Sequence, residues 1–165
     1  MEADIYTEAA AVASDYINAY FTHLSRPATR SNLAALYRPH STTLWNEMYE
    51  TGVQQIMAFY KSLEYNEMNF TTRDLKVCPA GKGGVMVLVM GDMDLDGEVT
   101  ENVYEVFHLE RDEKGWFIGS QILGFASEPV KGDGDGEFES GSKPECINGI
   151  SRWLERPLWC LKLDR

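Results

Sequence analysis

The sequence predicts a single α+β domain in which three helices pack on a strongly curved, cone-like antiparallel sheet. Apolar residues recur every three or four positions in the first third of the chain and mostly alternate after residue 67. These are the periods of a helix and of a strand, respectively. Helices and strands therefore occupy separate parts of the chain, as is typical of α+β proteins. The 165 residues suffice for one domain and a tail.

Three helices and one short strand are predicted in the first part of the chain. The first helix ends before Pro27, because proline breaks a helix. A short second helix is expected over residues 31–37 and is stopped by Pro39. A strand over residues 41–45 and a third helix over residues 53–63 follow. The first helix has one apolar stripe, formed by Ile5, Ala9, Val12, Ala13, Tyr16, Ile17, Tyr20, Phe21 and Leu24.

Four strands are predicted in the second part, over residues 68–77, 85–90, 103–109 and 116–125. Turn sequences separate them, with a Pro- and Gly-rich loop at 79–84, an Asp-Gly pair at the end of 94–97, and Asp-Glu-Lys-Gly at 112–115. Short turns of this kind join antiparallel neighbours. The second strand is apolar at every position, which predicts a central strand that is covered on both faces.

The composition changes after the last predicted strand. We assign residues 1–126 to the folded domain, residues 127–145 to a flexible acidic Gly-rich linker, and residues 146–165 to an apolar C-terminal segment. The segment contains Trp153 and Trp159. Two interpretations stay open: the segment docks on its own domain, or it serves as an anchor that inserts into a groove.

The net charge of −11 argues against direct binding to nucleic acid, which needs a basic patch for the phosphates. The charge instead favours a basic protein partner. The cysteines Cys78, Cys146 and Cys160 are far apart, and the three histidines are scattered. This pattern predicts neither a zinc site nor a disulfide framework, and we expect no metal or cofactor.

An acidic loop at Asp92, Asp94 and Asp96 imitates the start of a calcium-binding loop. Such a loop needs a glutamate at its twelfth position, which is Val103 here. The three aspartates are therefore predicted to form an acidic, solvent-facing stripe that could steer a basic partner.

Several stretches of the chain resemble the nuclear transport factor 2-like family. They are YINAYF at 16–21, LAALY at 33–37, STTLWN at 41–46 followed by Gly52, VLVMG at 87–91, VFHL at 106–109 and WFI at 116–118. The resemblance covers roughly residues 5–125, and it implies the cone-shaped fold of that family.

Within the family, residues 43–46 followed by Gly52 are most similar to the small subunit of the mRNA export heterodimer. The resemblance implies a non-catalytic transport factor of the nucleus, the cytoplasm and the nuclear pore, without membrane contact. Its partners would be a larger export receptor with a similar domain, in an obligate dimer, and Phe-Gly nucleoporins. Residues 120–125 keep an aromatic residue but lack the charges of a common family motif near the last strand, which argues against binding of the GTPase Ran.

Three alternatives remain: a homodimeric import factor for Ran-GDP, an adaptor for short Phe-containing peptides, and an isomerase- or dehydratase-like enzyme that uses the cone cavity. For the enzyme, nothing pairs His108 with a recognisable acid, so we predict no catalytic residue.

The site prediction follows from the outer face of the sheet, where apolar residues need a cover. The cover would be a partner's sheet, the C-terminal segment, or both. The predicted partner interface takes alternate positions on the last two strands: Val103, Glu105, Phe107, Phe117, Gly119, Gln121 and Leu123. The predicted cavity or peptide pocket is lined by Tyr16, Tyr20, Tyr37 and Trp45.

Overall fold

The computed structural model describes residues 2–126, and side chains from residue 6 onward apart from that of Lys82. The predicted linker at 127–145 and the apolar segment at 146–165 lie outside the described residues.

The described part contains helices α1 (Glu2–Leu24), α2 (Pro27–Arg30) and α3 (Gly52–Ser62), with a 3₁₀ helix (Ser31–Leu36) directly after α2. The strands are β1 (Tyr37–Trp45), β2 (Met48–Thr51), β3 (Met68–Ala80), β4 (Gly84–Leu95), β5 (Val99–Asp112) and β6 (Gly115–Phe125). The fold class is confirmed: helices pack against one face of a six-stranded, curled sheet.

Helix α1 buries the stripe that its sequence period predicts. Ala9, Ala13, Ile17, Tyr20 and Leu24 are all buried, and their spacing of three or four residues places them on one side of the helix. This side packs mainly on β3. The other long helix, α3, packs on β1.

The strand order is β2-β1-β6-β5-β4-β3. The neighbours are antiparallel except for β1 and β6, which run parallel. The sequence did not predict the parallel pair, because it depends on β6 returning to the first strand after a long excursion of the chain. Consecutive hairpins join β3 through β6, as predicted.

Three element predictions differ from the structure. The second helix is a single α-turn at Pro27–Arg30 followed by the 3₁₀ helix. The first strand begins four residues earlier than residue 41, at Tyr37, and it pairs with the short strand β2, which was not predicted. Strand β4 is not covered on both faces, because Met86 and Met90 are exposed.

The turn between β4 and β5 confirms the Asp-Gly prediction. Asp96 and Gly97 both have positive φ angles, of 56° and 69°, which suits the tight turn that best matches the twist of paired strands. Asp96 is also held from outside the turn, since its Oδ1 accepts hydrogen bonds from the backbone N–H groups of Asn66 and Glu67.

Candidate functional site

The outer face of the sheet, which points away from the helices, carries a row of apolar side chains. Tyr49 of β2 lies opposite Leu44 of β1, and Leu44 lies beside Ile122 of β6. Ile122 pairs with Val106 of β5, and Val106 pairs with Leu88 of β4. Directly paired residues lie on the same face of a sheet. The row therefore crosses five strands.

Three further side chains widen this row. Met90 pairs with Tyr104, and Met86 lies one alternate position from Leu88. We use the name outer apolar face for Leu44, Tyr49, Met86, Leu88, Met90, Tyr104, Val106 and Ile122. Five of these are substantially exposed: Tyr49 at 62%, Ile122 at 45%, Tyr104 at 40%, Met86 at 38% and Met90 at 37%. A contiguous apolar patch of this kind marks an interaction site.

Polar pairs flank the outer apolar face. Arg73 of β3 is 3.3 Å from Asp92. On the other side of the row, His108 is 3.5 Å from Glu110, so the prediction that no acid pairs with His108 is wrong. An apolar centre with a polar rim is the usual anatomy of a protein interface.

Behind the outer apolar face lies a buried polar network on the inner face. Gln121 accepts a hydrogen bond from the Tyr37 hydroxyl at Oε1, over 2.5 Å, and its Nε2 donates to the Tyr20 hydroxyl over 2.7 Å. The Tyr60 hydroxyl lies 3.1 Å from that of Tyr20 and 3.0 Å from that of Tyr37. We call Tyr20, Tyr37, Tyr60 and Gln121 the hydroxyl network.

The direction of these bonds follows from counting protons. Each hydroxyl has one proton, and that of Tyr37 goes to Gln121. Tyr60 can then donate to Tyr37, and Tyr20 can donate to Tyr60. The bonds form a closed loop that uses every hydroxyl proton. The Tyr20 proton has a second acceptor, since the Glu105 carboxyl also lies within hydrogen-bonding reach of the Tyr20 hydroxyl.

Glu105 of β5 lies against this network and is 1% exposed. Its Oε1 accepts a hydrogen bond from Gln121 Nε2, whereas its Oε2 has no hydrogen-bond partner among the described residues. Burial raises the pKa of the Glu105 carboxyl from 4.5 to about 8, since a buried charge loses its hydration. The carboxyl is therefore mainly neutral at pH 7.

The structure corrects the predicted partner interface. Val103, Glu105, Phe107, Gln121 and Leu123 are buried on the inner face, so the prediction chose the wrong alternate set. A one-residue shift exchanges the two faces of a strand. The prediction was wrong because polar residues such as Glu105 and Gln121 usually mark a solvent-exposed face of a strand. Here they belong to a buried network.

Phe117 and Gly119 depart from the interface prediction for other reasons. Phe117 lies opposite Glu110 but is buried beneath Arg38, whose guanidinium is 5.0 Å from the ring centre. Gly119 lies where the register of β5 and β6 shifts. The Glu110 side chain covers this glycine.

The structure brings together two of the four predicted pocket residues. Tyr20 and Tyr37 belong to the hydroxyl network, and Trp45 lies beside it with its ring 5.7 Å from that of Tyr60. Tyr16 lies apart, and its hydroxyl donates to the backbone carbonyl of Trp116. Sequence reasoning placed Tyr60 only on an apolar helix side, because nothing in its spacing distinguishes a networked tyrosine from a core one.

The acidic loop is largely engaged in local structure. Asp92 pairs with Arg73, Asp94 accepts a hydrogen bond from the backbone of Gly97, and Asp96 fixes residues 66–67. Among the described residues, no group of three or more His, Cys, Asp or Glu side chains could hold a metal ion. Within the same range, no helix is long and apolar enough to cross a membrane.

Comparison with known proteins agrees with this architecture. The nuclear transport factor 2 (NTF2) domain matches residues 12–125. The chain belongs to the NTF2 domain family. Nuclear transport factor 2 of Neurospora crassa is 28% identical over 115 residues, which cover 68% of this chain and 91% of that protein.

Solved structures share the fold at low identity. Nuclear transport factor 2 from Cryptosporidium parvum is 22% identical with a TM-score of 0.66, covering 72% of this chain and 95% of that one. A candidate scytalone dehydratase from Novosphingobium aromaticivorans is 10% identical with a TM-score of 0.66, covering 76% of this chain and 89% of that one. NTF2-like folds therefore occur in transport factors and in proteins named as enzymes, so function has to be argued from this chain's own surface.

Proposed function

We propose that the protein is a non-catalytic nucleocytoplasmic transport factor, and specifically the small subunit of an mRNA export heterodimer. Its outer apolar face would pair with the matching sheet of an NTF2-like domain in a larger export receptor. The completed pair would bind Phe-Gly nucleoporins at the nuclear pore. The observation that carries the proposal is the apolar row across five strands from Tyr49 to Leu88.

The geometry of the row favours a sheet as the partner. The row runs across five neighbouring strands, so a partner that covers it must span all five. A second curved sheet of the same family can cover all five strands at once. Such obligate pairs bury roughly 2,000 Å² or more, and their central residues are apolar.

The charge of the chain supports a protein partner. The net charge is −11, and Asp92 stands at the edge of the outer apolar face. A partner with a basic rim would associate faster and in a defined orientation. The closeness to proteins named nuclear transport factor 2 supports transport as the setting in which such a pair works.

A small-molecule enzyme is the second candidate, and Glu105 is the observation that favours it. A buried carboxyl with a raised pKa is a common feature of active sites. Against this role, the three tyrosine hydroxyls are already engaged with one another, with Gln121 and with Glu105. Native mass spectrometry tests the alternative: a small molecule bound to the purified chain, and lost in Glu105→Gln, would support it.

The pairing is tested by capture with a tagged full-length chain. Ile122→Glu places a charge at the centre of the outer apolar face. The control is Leu75→Glu, because Leu75 is 39% exposed and lies opposite buried Val89, outside that face. We expect the wild type and Leu75→Glu to retain a larger chain with its own NTF2-like domain, and the captured complex to bind Phe-Gly repeat peptides.

Ile122→Glu should lose the larger chain while remaining folded by circular dichroism, since a half-exposed side chain contributes little to the core. Equal retention by Ile122→Glu and the wild type would refute the interface. If the wild type forms only homodimers and binds Ran-GDP, the proposed function would be nuclear import instead of mRNA export.

A further inference from the structure

The buried carboxyl of Glu105 and the outer apolar face occupy opposite sides of the same two strands. Glu105 stands between Tyr104 and Val106 in β5, and Gln121 stands between Ser120 and Ile122 in β6. Val106 and Ile122 are directly paired and form the centre of the outer apolar face. The polar contact between Glu105 and Gln121 therefore lies immediately behind the proposed contact area.

The groups around Glu105 come from every element that packs on this part of the inner face. Tyr20 comes from α1, Tyr60 from α3, Tyr37 from β1 and Gln121 from β6, and Val89 of β4 lies directly beside Glu105. Burial raises the pKa of all three tyrosines, so they stay neutral in the physiological range. None of the described basic side chains forms an ion pair with Glu105.

Of the three hydroxyls in the network, that of Tyr20 reaches Glu105, and donating its proton there breaks the bond from Tyr20 to Tyr60. A carboxylate accepts hydrogen bonds at both oxygens, but Oε2 has no hydrogen-bond partner among the described residues. An ionised Glu105 must therefore take a proton donor from the closed loop or admit water between β5 and the helices. Either change moves the backbone that carries Val106 and Ile122, because a packed interior transmits strain.

We propose that the protonation state of Glu105 regulates pairing through the outer apolar face, with the neutral carboxyl favouring the pair and its ionisation weakening it. The proposal rests on the proposed function, since it needs the outer apolar face to be the pairing surface. The form of pairing that we measure is self-association of the purified full-length chain. When no receptor is present, the chain exposes the same face to a second copy.

The test is sedimentation velocity of the full-length chain between about pH 7 and about pH 9, a window centred on the carboxyl's pKa of about 8. We expect the dimer dissociation constant of the wild type to rise on the order of tenfold across this range, which corresponds to about 1.4 kcal/mol. Glu105→Gln, which keeps an acceptor for Gln121, should show no such rise. All other groups titrate alike in both proteins, so the difference between the two profiles isolates Glu105.

A second measurement does not depend on dimers. Hydrogen exchange of the β5 and β6 amides, compared between wild type and Glu105→Gln at the same pH, should be equal near pH 4.5 and faster in the wild type near pH 9. Glu105→Met serves as a second uncharged variant should the glutamine variant misfold.

The outcomes separate the two claims. A dimer whose strength varies equally with pH in wild type and Glu105→Gln, or in neither, overturns the regulation and leaves the interface standing. Monomers at every pH overturn the regulation, and the receptor capture with Ile122→Glu then decides the proposed function on its own. A dimer that Ile122→Glu leaves intact overturns both.

Discussion

Glu105 is a buried carboxyl whose pKa is raised into the physiological range, to about 8. Its carboxyl is buried, accepts hydrogen bonds from Gln121 and Tyr20, and has no cationic partner among residues 6–126. Between pH 4.5 and about 8, the carboxyl is neutral in the folded protein but ionised in the unfolded chain. Folding therefore takes up a proton in this pH range. The folded state therefore loses stability as the pH rises through this window.

Replacing this carboxyl by a neutral amide should remove the loss of folding stability at rising pH. Glu105→Gln should match the wild type in stability below about pH 4.5 and exceed it increasingly up to about pH 8. Each pKa unit corresponds to about 1.4 kcal/mol, so the gain at alkaline pH reaches several kcal/mol. Urea unfolding at a series of pH values measures it. A constant difference between the two proteins at all pH values would mean that Glu105 is ionised in the fold.

For single residues, the sequence indicated which side chains matter more reliably than it indicated where they lie in the fold. Tyr20 and Tyr37 were predicted to line a cavity or peptide pocket, and in the structure both are buried in the hydroxyl network. Glu105 and Gln121 were selected but assigned to the wrong face, because a polar residue on an alternating strand ordinarily marks the wet side. The buried network forms because side chains from four elements, α1, α3, β1 and β6, meet at one point. A local sequence pattern cannot predict such a meeting.

Arg30 shows how one element holds several others together. Its side chain is buried and donates hydrogen bonds to the backbone carbonyls of Leu24, Leu63 and Tyr65. It thereby joins the end of α1 to the segment that follows α3. The guanidinium suits this position because it presents several donors in a fixed geometry.

Removing these donors should destabilise the fold. Arg30→Met keeps much of the side-chain volume but leaves three carbonyls without their donor. Each buried unsatisfied group costs about 1–3 kcal/mol, so we expect a loss of about 2–4 kcal/mol after local rearrangement. Arg26→Met is the control, since Arg26 is exposed and forms only a weak pair with Glu67 at 3.7 Å. Equal thermal unfolding of both variants would contradict the role of Arg30.

Gly91 lets β3 approach β4 at an irregularity of the sheet. The register of these strands shifts between Thr72 and Asp74. A Cβ at Gly91 would lie 2.2 Å from the Thr71 carbonyl oxygen, a backbone atom that cannot move aside. At Gly119, by contrast, a Cβ would meet only the Glu110 side chain, which can rotate away.

The two glycines should therefore respond differently to the same change. Gly91→Ala should lower the free energy of unfolding by about 2 kcal/mol or more, because the strand pair must shift to relieve the overlap. Gly119→Ala should cost clearly less. Chemical denaturation of both variants provides the comparison, and a larger loss in Gly119→Ala would show that the sheet yields at Gly91.

The elements themselves were largely predictable. The long helix, the Asp-Gly turn and the hairpins of β3 through β6 follow from local periods and turn chemistry. The short β2 and the parallel pairing of β1 with β6 could not be read from the sequence. Four residues carry too little pattern to identify a strand, and a long-range pairing depends on how the sheet curls.

For the whole molecule, the sequence predicted an apolar outer surface that requires a cover, while misplacing its residues. The two faces of β5 and β6 are both rich in apolar residues, so alternation alone could not choose between them. The position of the helices determines which face is buried. They cover Phe107 and Leu123 and leave Tyr104 and Ile122 exposed. The outer apolar face is therefore a property of the assembled sheet.

Oxidative footprinting of the native complex tests the central claim most directly. Met86, Met90 and Tyr104 lie on the outer apolar face, whereas Tyr6 of α1 is 59% exposed away from it. Hydroxyl radicals should label the first three much less in the wild-type complex than in isolated Ile122→Glu, with Tyr6 labelled equally in both. Equal labelling of Met86 and Met90 in the two samples would contradict a covered outer face.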